Sequence, residues 1–355
     1  MADAQNNTRP LSGIRPHSAA EIRLRTQALE IQHAMKQREK EREKEDQRLD
    51  TAINASDVRS KKIIEELEDL SHDLYDQYDQ ALAAFINENY DQAIKTVQAM
   101  FDMMKDDGGN DLEKQVNKRG GRVYDFSDPV DEQFAQLLDP KFKVASFSFA
   151  PHYGPLFLQS QAYQQKDEMD KALKTIDEAI TWDPYDGDTL VSRAGMLIDM
   201  DREREGAQAL EESYAFLTTP TALGHYHFFR GTYLIHKGNT PLGAAHLVLE
   251  RDFVDDEVTS SGDRLLYGLD HIFNRPGQFS SMESKEARRK LRRAKEHVEP
   301  AHLAKRALIQ ALREMVEAQD QEMIDDLTER YQALFTGEKD KKELGNVLAG
   351  RLDNA

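Results

Sequence analysis

The stretch Tyr153–Asp186, YGPLFLQSQAYQQKDEMDKALKTIDEAITWDPYD, constrains this chain more than any other. Its apolar residues recur at helical spacing on both sides of a polar break at Lys166–Glu168, and Pro184 closes the stretch. It reads as one helix–turn–helix unit of 34 residues. A unit of that length cannot bury its apolar face alone and has to stack on similar units.

Further units can be marked out on either side. Residues 187–219 and 221–251 give two more helical pairs, and a short pair is expected within 257–274. Upstream, Ile63, Leu67, Leu70, Leu74, Tyr78, Leu82 and Phe85, then Ile94, Val97, Phe101 and Met104, outline a hairpin that turns at Asn87–Asn89. The expected organisation is a disordered tail (1–19), a charged helical arm (20–57), a helical hairpin (58–105) and an irregular insertion (106–152). A helical array (153–283), basic-to-amphipathic C-terminal helices (284–336) and a frayed tail (337–355) follow. The insertion carries two Gly-Gly pairs, a short helix expected at Asp131–Leu138, and a strand-like alternation at Val144–Phe149. Leu308, Leu312, Met315, Met323, Leu327, Tyr331 and Leu334 mark one long amphipathic helix, with Gly337 as its stop.

These residues and spacings resemble the tetratricopeptide repeat. In 153–186, Leu156, Ser160 and Tyr163 occupy first-helix signature positions, and Ala172, Ile176 and Ala179 second-helix ones; Gln159 departs from the usual apolar residue. In 187–219, Leu190, Ala194 and Leu197 fit, while the second helix reads as shifted by one residue, with Ala207 at the small position. In 221–251, Gly231 and Leu234 match the first helix, and Ala244 with Leu247 the second. In 71–104 the match rests on Ala81, Ala93 and Val97. The resemblance covers roughly 40% of the chain. It implies an all-α, TPR-like helical-hairpin solenoid, and a concave groove lined by Phe157, Gln161, Gln164, Val191, Ile198, His225, Phe228, Thr232 and Ile235. Such a groove would grip a partner peptide or helix. Phe157 and Gln161 stand where carboxylate-clamping relatives have Lys and Asn, so an apolar, amide-lined groove is expected.

The remaining chemistry is sparse. There is no cysteine, which excludes disulfides and thiolate catalysis. His225, His227, His236 and His246 cluster in sequence, but none forms an (i, i+4) pair, so no metal site is expected. Asp199/Asp201 and Asp255/Asp256 lack calcium-loop spacing, and Arg119–Arg122 lacks the GxxxxGK[ST] pattern of a phosphate loop. No catalytic residue and no cofactor are assigned. Net charge is −18, but Lys285–Arg306 holds nine basic residues against three acidic ones, which leaves the rest at −24. Arg288, Arg289, Arg292 and Arg293 are therefore candidate polyanion contacts, although interleaved aromatics are missing and the acidic flanks disfavour nucleic acid. No apolar run spans a bilayer, so a cytoplasmic protein with a protein partner is expected. The charged arm could serve self-association, and groove occupancy could make the chain a peptide-responsive regulator.

Overall fold

The computed structural model describes residues 73–106, 123–138, 151–253 and 261–350, all within one compact unit, Leu67–Ala355. Among the described residues the regular structure is entirely helical. The helices are α1 (73–86), α2 (Tyr90–Asp106), α3 (Pro129–Leu138), α4 (Tyr153–Gln165), α5 (Met169–Trp182), α6 (Gly187–Asp199), α7 (Glu203–Ser213), α8 (Pro220–His236), α9 (Thr240–Glu250), α10 (Ser261–Ile272), α11 (Ser284–Ala294), α12 (His302–Ala318), α13 (Gln321–Leu334) and α14 (Glu338–Leu348). The expected tail, the charged arm and the strand-like alternation at 144–149 lie outside the described residues.

Four hairpins follow one another, and each carries a pair of buried small residues twelve positions apart, Ala81/Ala93, Ser160/Ala172, Ala194/Gly206 and Gly231/Gly243, the last three of which meet where the helices cross. Small side chains are needed there because the backbones nearly touch. Ser160 Oγ donates to the Ala172 carbonyl at 2.8 Å. A Cβ on Gly243 would lie 2.5 Å from the Gly231 carbonyl oxygen, and one on Gly206 3.0 Å from that of Ala194. The crossings correct the sequence register: Gly206 and Gly243, one residue before Ala207 and Ala244, are the contact residues, so no unit is shifted. A glycine scores poorly as a helix former, which is why the alanine next to it attracts the assignment.

Each turn is also closed identically. Seven residues after the first small residue stands a residue of left-handed backbone: Glu88 (φ 59°), Asp167 (61°), Asp201 (59°) and Gly238 (80°). In every case the next amide reaches back five residues, as in Asn89 N–H to Ala84, Glu168 to Tyr163, Arg202 to Leu197 and Asn239 to Leu234. This is the Schellman closure, which satisfies carbonyls that the helix end would leave bare.

The hairpins pack in sequence, α2 on α4, α5 on α6, and α6 and α7 on α8. Gln159, anomalous in the sequence, directs its amide at the Ile94 carbonyl of the preceding hairpin, 3.5 Å away. Beyond α9 the regularity ends. Among the described residues, the region expected to hold a short pair has the one helix α10, followed by a loop organised by Asp270, whose carboxylate accepts from the amides of Gly277, Phe279 and Ser280. The long C-terminal helix is in fact two, α12 and α13, broken where Gln319 turns left-handed (φ 59°) and Asp320 caps α13 through the Met323 amide. Gly337 starts α14 and is not the end of a helix, and residues 338–348 are helical where fraying was expected. The C-terminal helices rejoin the array: Leu308, Leu312, Leu327 and Tyr331 share one apolar core with Ile176, Leu210, Leu223 and with Phe134 of α3.

Candidate partner-binding face

The first helices of successive hairpins, α6 and α8, lie against each other, and Gly195 makes room for the Phe229 ring between them. The residues expected to line a groove recur on one face of each first helix: Phe157, Gln161 and Gln164 on α4; Val191 and Ile198 on α6; His225, Phe228, Thr232 and Ile235 on α8. Their burial is graded. Val191, Ile198 and Gln161 are buried, whereas Phe157, Gln164, His225, Phe228, Thr232 and Ile235 are half-buried. Phe157 and Phe228 rest against the same apolar core that contains Val191 and Ile198. The centre of this face is therefore largely closed by packing, and solvent reaches the residues contributed by α4 and α8.

Behind α8 lies a polar centre that sequence spacing missed. His227 and His246 are both fully buried, and their Nδ1 atoms stand 2.9 Å apart. Two such nitrogens can share only one proton. Placing the other proton on His246 Nε2 directs it at Glu296 Oε2, 3.5 Å away, so His227 is assigned as the Nδ1–H donor. Glu296 is held by a forked pair with Arg230, at 2.9 and 3.0 Å. Burial lowers both histidine pKa values, well below the ordinary range for His227, whose charge the neighbouring His246 opposes further; Glu296 works against the shift at His246. The rings are on different helices, which a search for (i, i+4) histidines within one helix cannot find. The crossing register would have found them: His227 lies four residues before Gly231, and His246 three after Gly243.

A second polar centre fixes the insertion to the array. Asp125 accepts from the amides of His152 and Tyr153 at 2.6 and 2.7 Å, capping α4 from outside its own turn. Asp131 of α3 and Asp183 of the α5–α6 turn are buried carboxylates, and Asp186, which caps α6 through the Thr189 amide at 2.6 Å, adjoins them. The Ser127 hydroxyl bridges Asp131 and Asp186, and its amide donates to Asp183 at 2.9 Å. Desolvation pushes the Asp183 carboxyl up to about 7, the Asp186 charge adding to it, while the amides of Ser127 and Tyr185 resist. Asp131 is driven well above the carboxylate range by burial and by the charges of Asp183, Asp128 and Asp186. Carboxylates held this close and out of water favour keeping a proton among them.

The basic helix α11 is seated on α9 through the buried Ala287 and Leu291. Of the four arginines singled out in the sequence, Arg288 pairs with Asp252 at 2.7 Å and Glu299 at 3.3 Å, and Arg292 with Glu299. Arg289 and Arg293 are exposed and form no ion pair among the described residues. Among the described residues, no group of three or more His, Asp or Glu side chains is placed to hold a metal ion. No described helix is long and apolar enough to cross a membrane.

Compared with known proteins, no family model and no curated protein matches this chain. What stands, among the described residues, is an all-helical structure whose helices pack in sequential pairs.

Proposed function

We propose that this chain is a non-catalytic adaptor, a tetratricopeptide-like array that binds a partner peptide or helix on the face of its first helices. The observation that supports this reading is the recurrence of one hairpin geometry. Crossing pairs twelve residues apart are followed by left-handed closures seven residues after the first member, and Ser160 and Ala194 stand 34 residues apart. Repetition of this kind places equivalent faces side by side, and a face of half-buried Phe157, Gln164, Phe228, Thr232 and Ile235 offers apolar contact with amide and hydroxyl groups for orientation. The ion-paired state of Arg288 and Arg292 favours this adaptor over a nucleic-acid factor, because part of the basic segment is already neutralised internally.

The test is affinity capture with the full chain, comparing wild type with two variants. Phe157→Ala/Phe228→Ala removes rings that also contact the core, and Gln164→Arg/Thr232→Arg alters the face without touching them. A protein retained by wild type and lost by both variants, with unchanged circular dichroism, supports the reading. A capture profile unaltered by the second variant refutes it.

A further inference from the structure

Lys285, Arg289 and Arg293 lie four residues apart on α11 and form a stripe along its solvent side, opposite the buried Ala287 and Leu291. All three are exposed and have no ion pair among the described residues, although the chain carries a net charge of −18. Like charges at this spacing oppose helix formation. On the neighbouring positions the cations are consumed: Arg288 and Arg292 by Asp252 and Glu299, and Lys290 by Glu286 at 3.0 Å. The helix carrying the stripe is held in place before any ligand arrives. Its start is tied down where Ser284 Oγ donates to Asp252 at 2.6 Å, and its inner face is packed on α9. The Cα positions of the three cations thus form a fixed row with steps of about 6 Å along the axis.

We infer that the outer face of α11 is a docking surface for an acidic α-helix of a partner protein, one presenting carboxylates at i, i+4 and i+8 to Lys285, Arg289 and Arg293. A second helix repeats its side chains with the same 6 Å step, so all three pairs can form in register. A nucleic-acid strand fits less well. Such a strand would run past the roughly 16 Å of this helix onto the acidic remainder of the chain. Helix α11 also has no aromatic residue on which a base could stack. The surface is distinct from the face of the first helices, so the two can be tested separately.

The experiment is fluorescence anisotropy on the full chain with a labelled, helix-stapled peptide carrying Glu at i, i+4 and i+8. A mixed-sequence single-stranded oligonucleotide is titrated in parallel. The expected result is salt-sensitive peptide binding that weakens by about tenfold or more in Lys285→Glu/Arg289→Glu/Arg293→Glu, the change that three exposed ion pairs can supply. The same variant should gain binding to a peptide with Lys at those three positions, an exchange that simple unfolding cannot produce. Peptide binding that is absent at low salt, or indifferent to the triple substitution, overturns the proposal. So does an oligonucleotide that binds more tightly than the peptide and is lost in the variant.

Discussion

The close approach at Gly231 and Gly243 makes a quantitative prediction that opposes ordinary helix propensity. Replacing a glycine inside a helix with alanine contributes at most about 1 kcal/mol of stability, because the unfolded chain loses freedom and the helix gains a methyl group. At Gly243 the added Cβ would sit 2.5 Å from the Gly231 carbonyl oxygen and 2.6 Å from Ile235 Cγ1. Neither neighbour can yield freely: one is backbone, and the other is part of the packing between the two helices. The helices must separate by several tenths of an ångström, and overpacking of this kind costs about 1–3 kcal/mol. The net expectation for Gly243→Ala is a loss of up to about 2 kcal/mol. Gly268 on α10 supplies the control, since nothing lies within 4 Å of a Cβ built there. Gly268→Ala should stabilise by about 0.5–1 kcal/mol. Urea unfolding of both variants followed by far-ultraviolet circular dichroism would read the difference, about 1–3 kcal/mol, as a lower midpoint for Gly243→Ala than for Gly268→Ala. Equal stabilisation in both variants would mean that the α8–α9 crossing is looser than described, and the account of the small-residue register would fail with it.

Three further outcomes are expected. Removing the Arg330 side chain, which pairs with Asp128 and with Asp326 at 2.7 Å, should cost about 2 kcal/mol and raise amide hydrogen exchange in α3 before it rises in α4 or α6. The buried histidine pair takes up protons less readily than the unfolded chain does, so stability should fall as pH drops below about 6.5. Replacing both rings together, as His227→Leu/His246→Leu, should flatten that limb in urea titrations at stepped pH. The carboxylate cluster has the opposite sign. With the Asp183 pKa raised from 3.8 to about 7, the folded chain holds a proton that the unfolded chain has already lost. Stability should therefore decline as pH rises between those values, by up to about 1.4 kcal/mol per pH unit, and Asp183→Asn should reduce that slope.

The helices themselves were legible because apolar spacing is a local property. Phe85, Val97, Ile176 and Leu247 are buried where their periodicity puts them. The finer register depended on which small residue sits at a crossing, and Gly206–Ala207 and Gly243–Ala244 each offer two candidates that only the partner helix distinguishes. The break between α12 and α13 was missed because the chain turns at Gln319 without Gly or Pro; the signal present was Asp320, an N-cap residue before Gln321–Glu322. The graded burial of the proposed face was not legible, because Val191 and Ile198 read as equivalent to Phe157 and Ile235 on spacing alone. Both polar centres join residues of different elements, such as Asp131 with Asp183 and His227 with His246. No periodicity within a single segment encodes them.

The clasp between the insertion and the C-terminal helices changes how the chain can come apart. Gln133 donates to Glu314 at 2.7 Å across 181 residues, and Asp128 meets Arg330 across 202. A row of hairpins stitched only to its neighbours can be shortened from either end, one unit at a time, with each remaining unit nearly indifferent to the loss. Here the final helices are fastened to a segment that precedes α4. Deleting α12–α14 would uncover Phe134 and Leu210 in the interior and would not merely shorten a free end. Unfolding that starts at the C-terminus is thereby turned into a threat to the middle of the protein, and proteolysis from that side should release few stable intermediates.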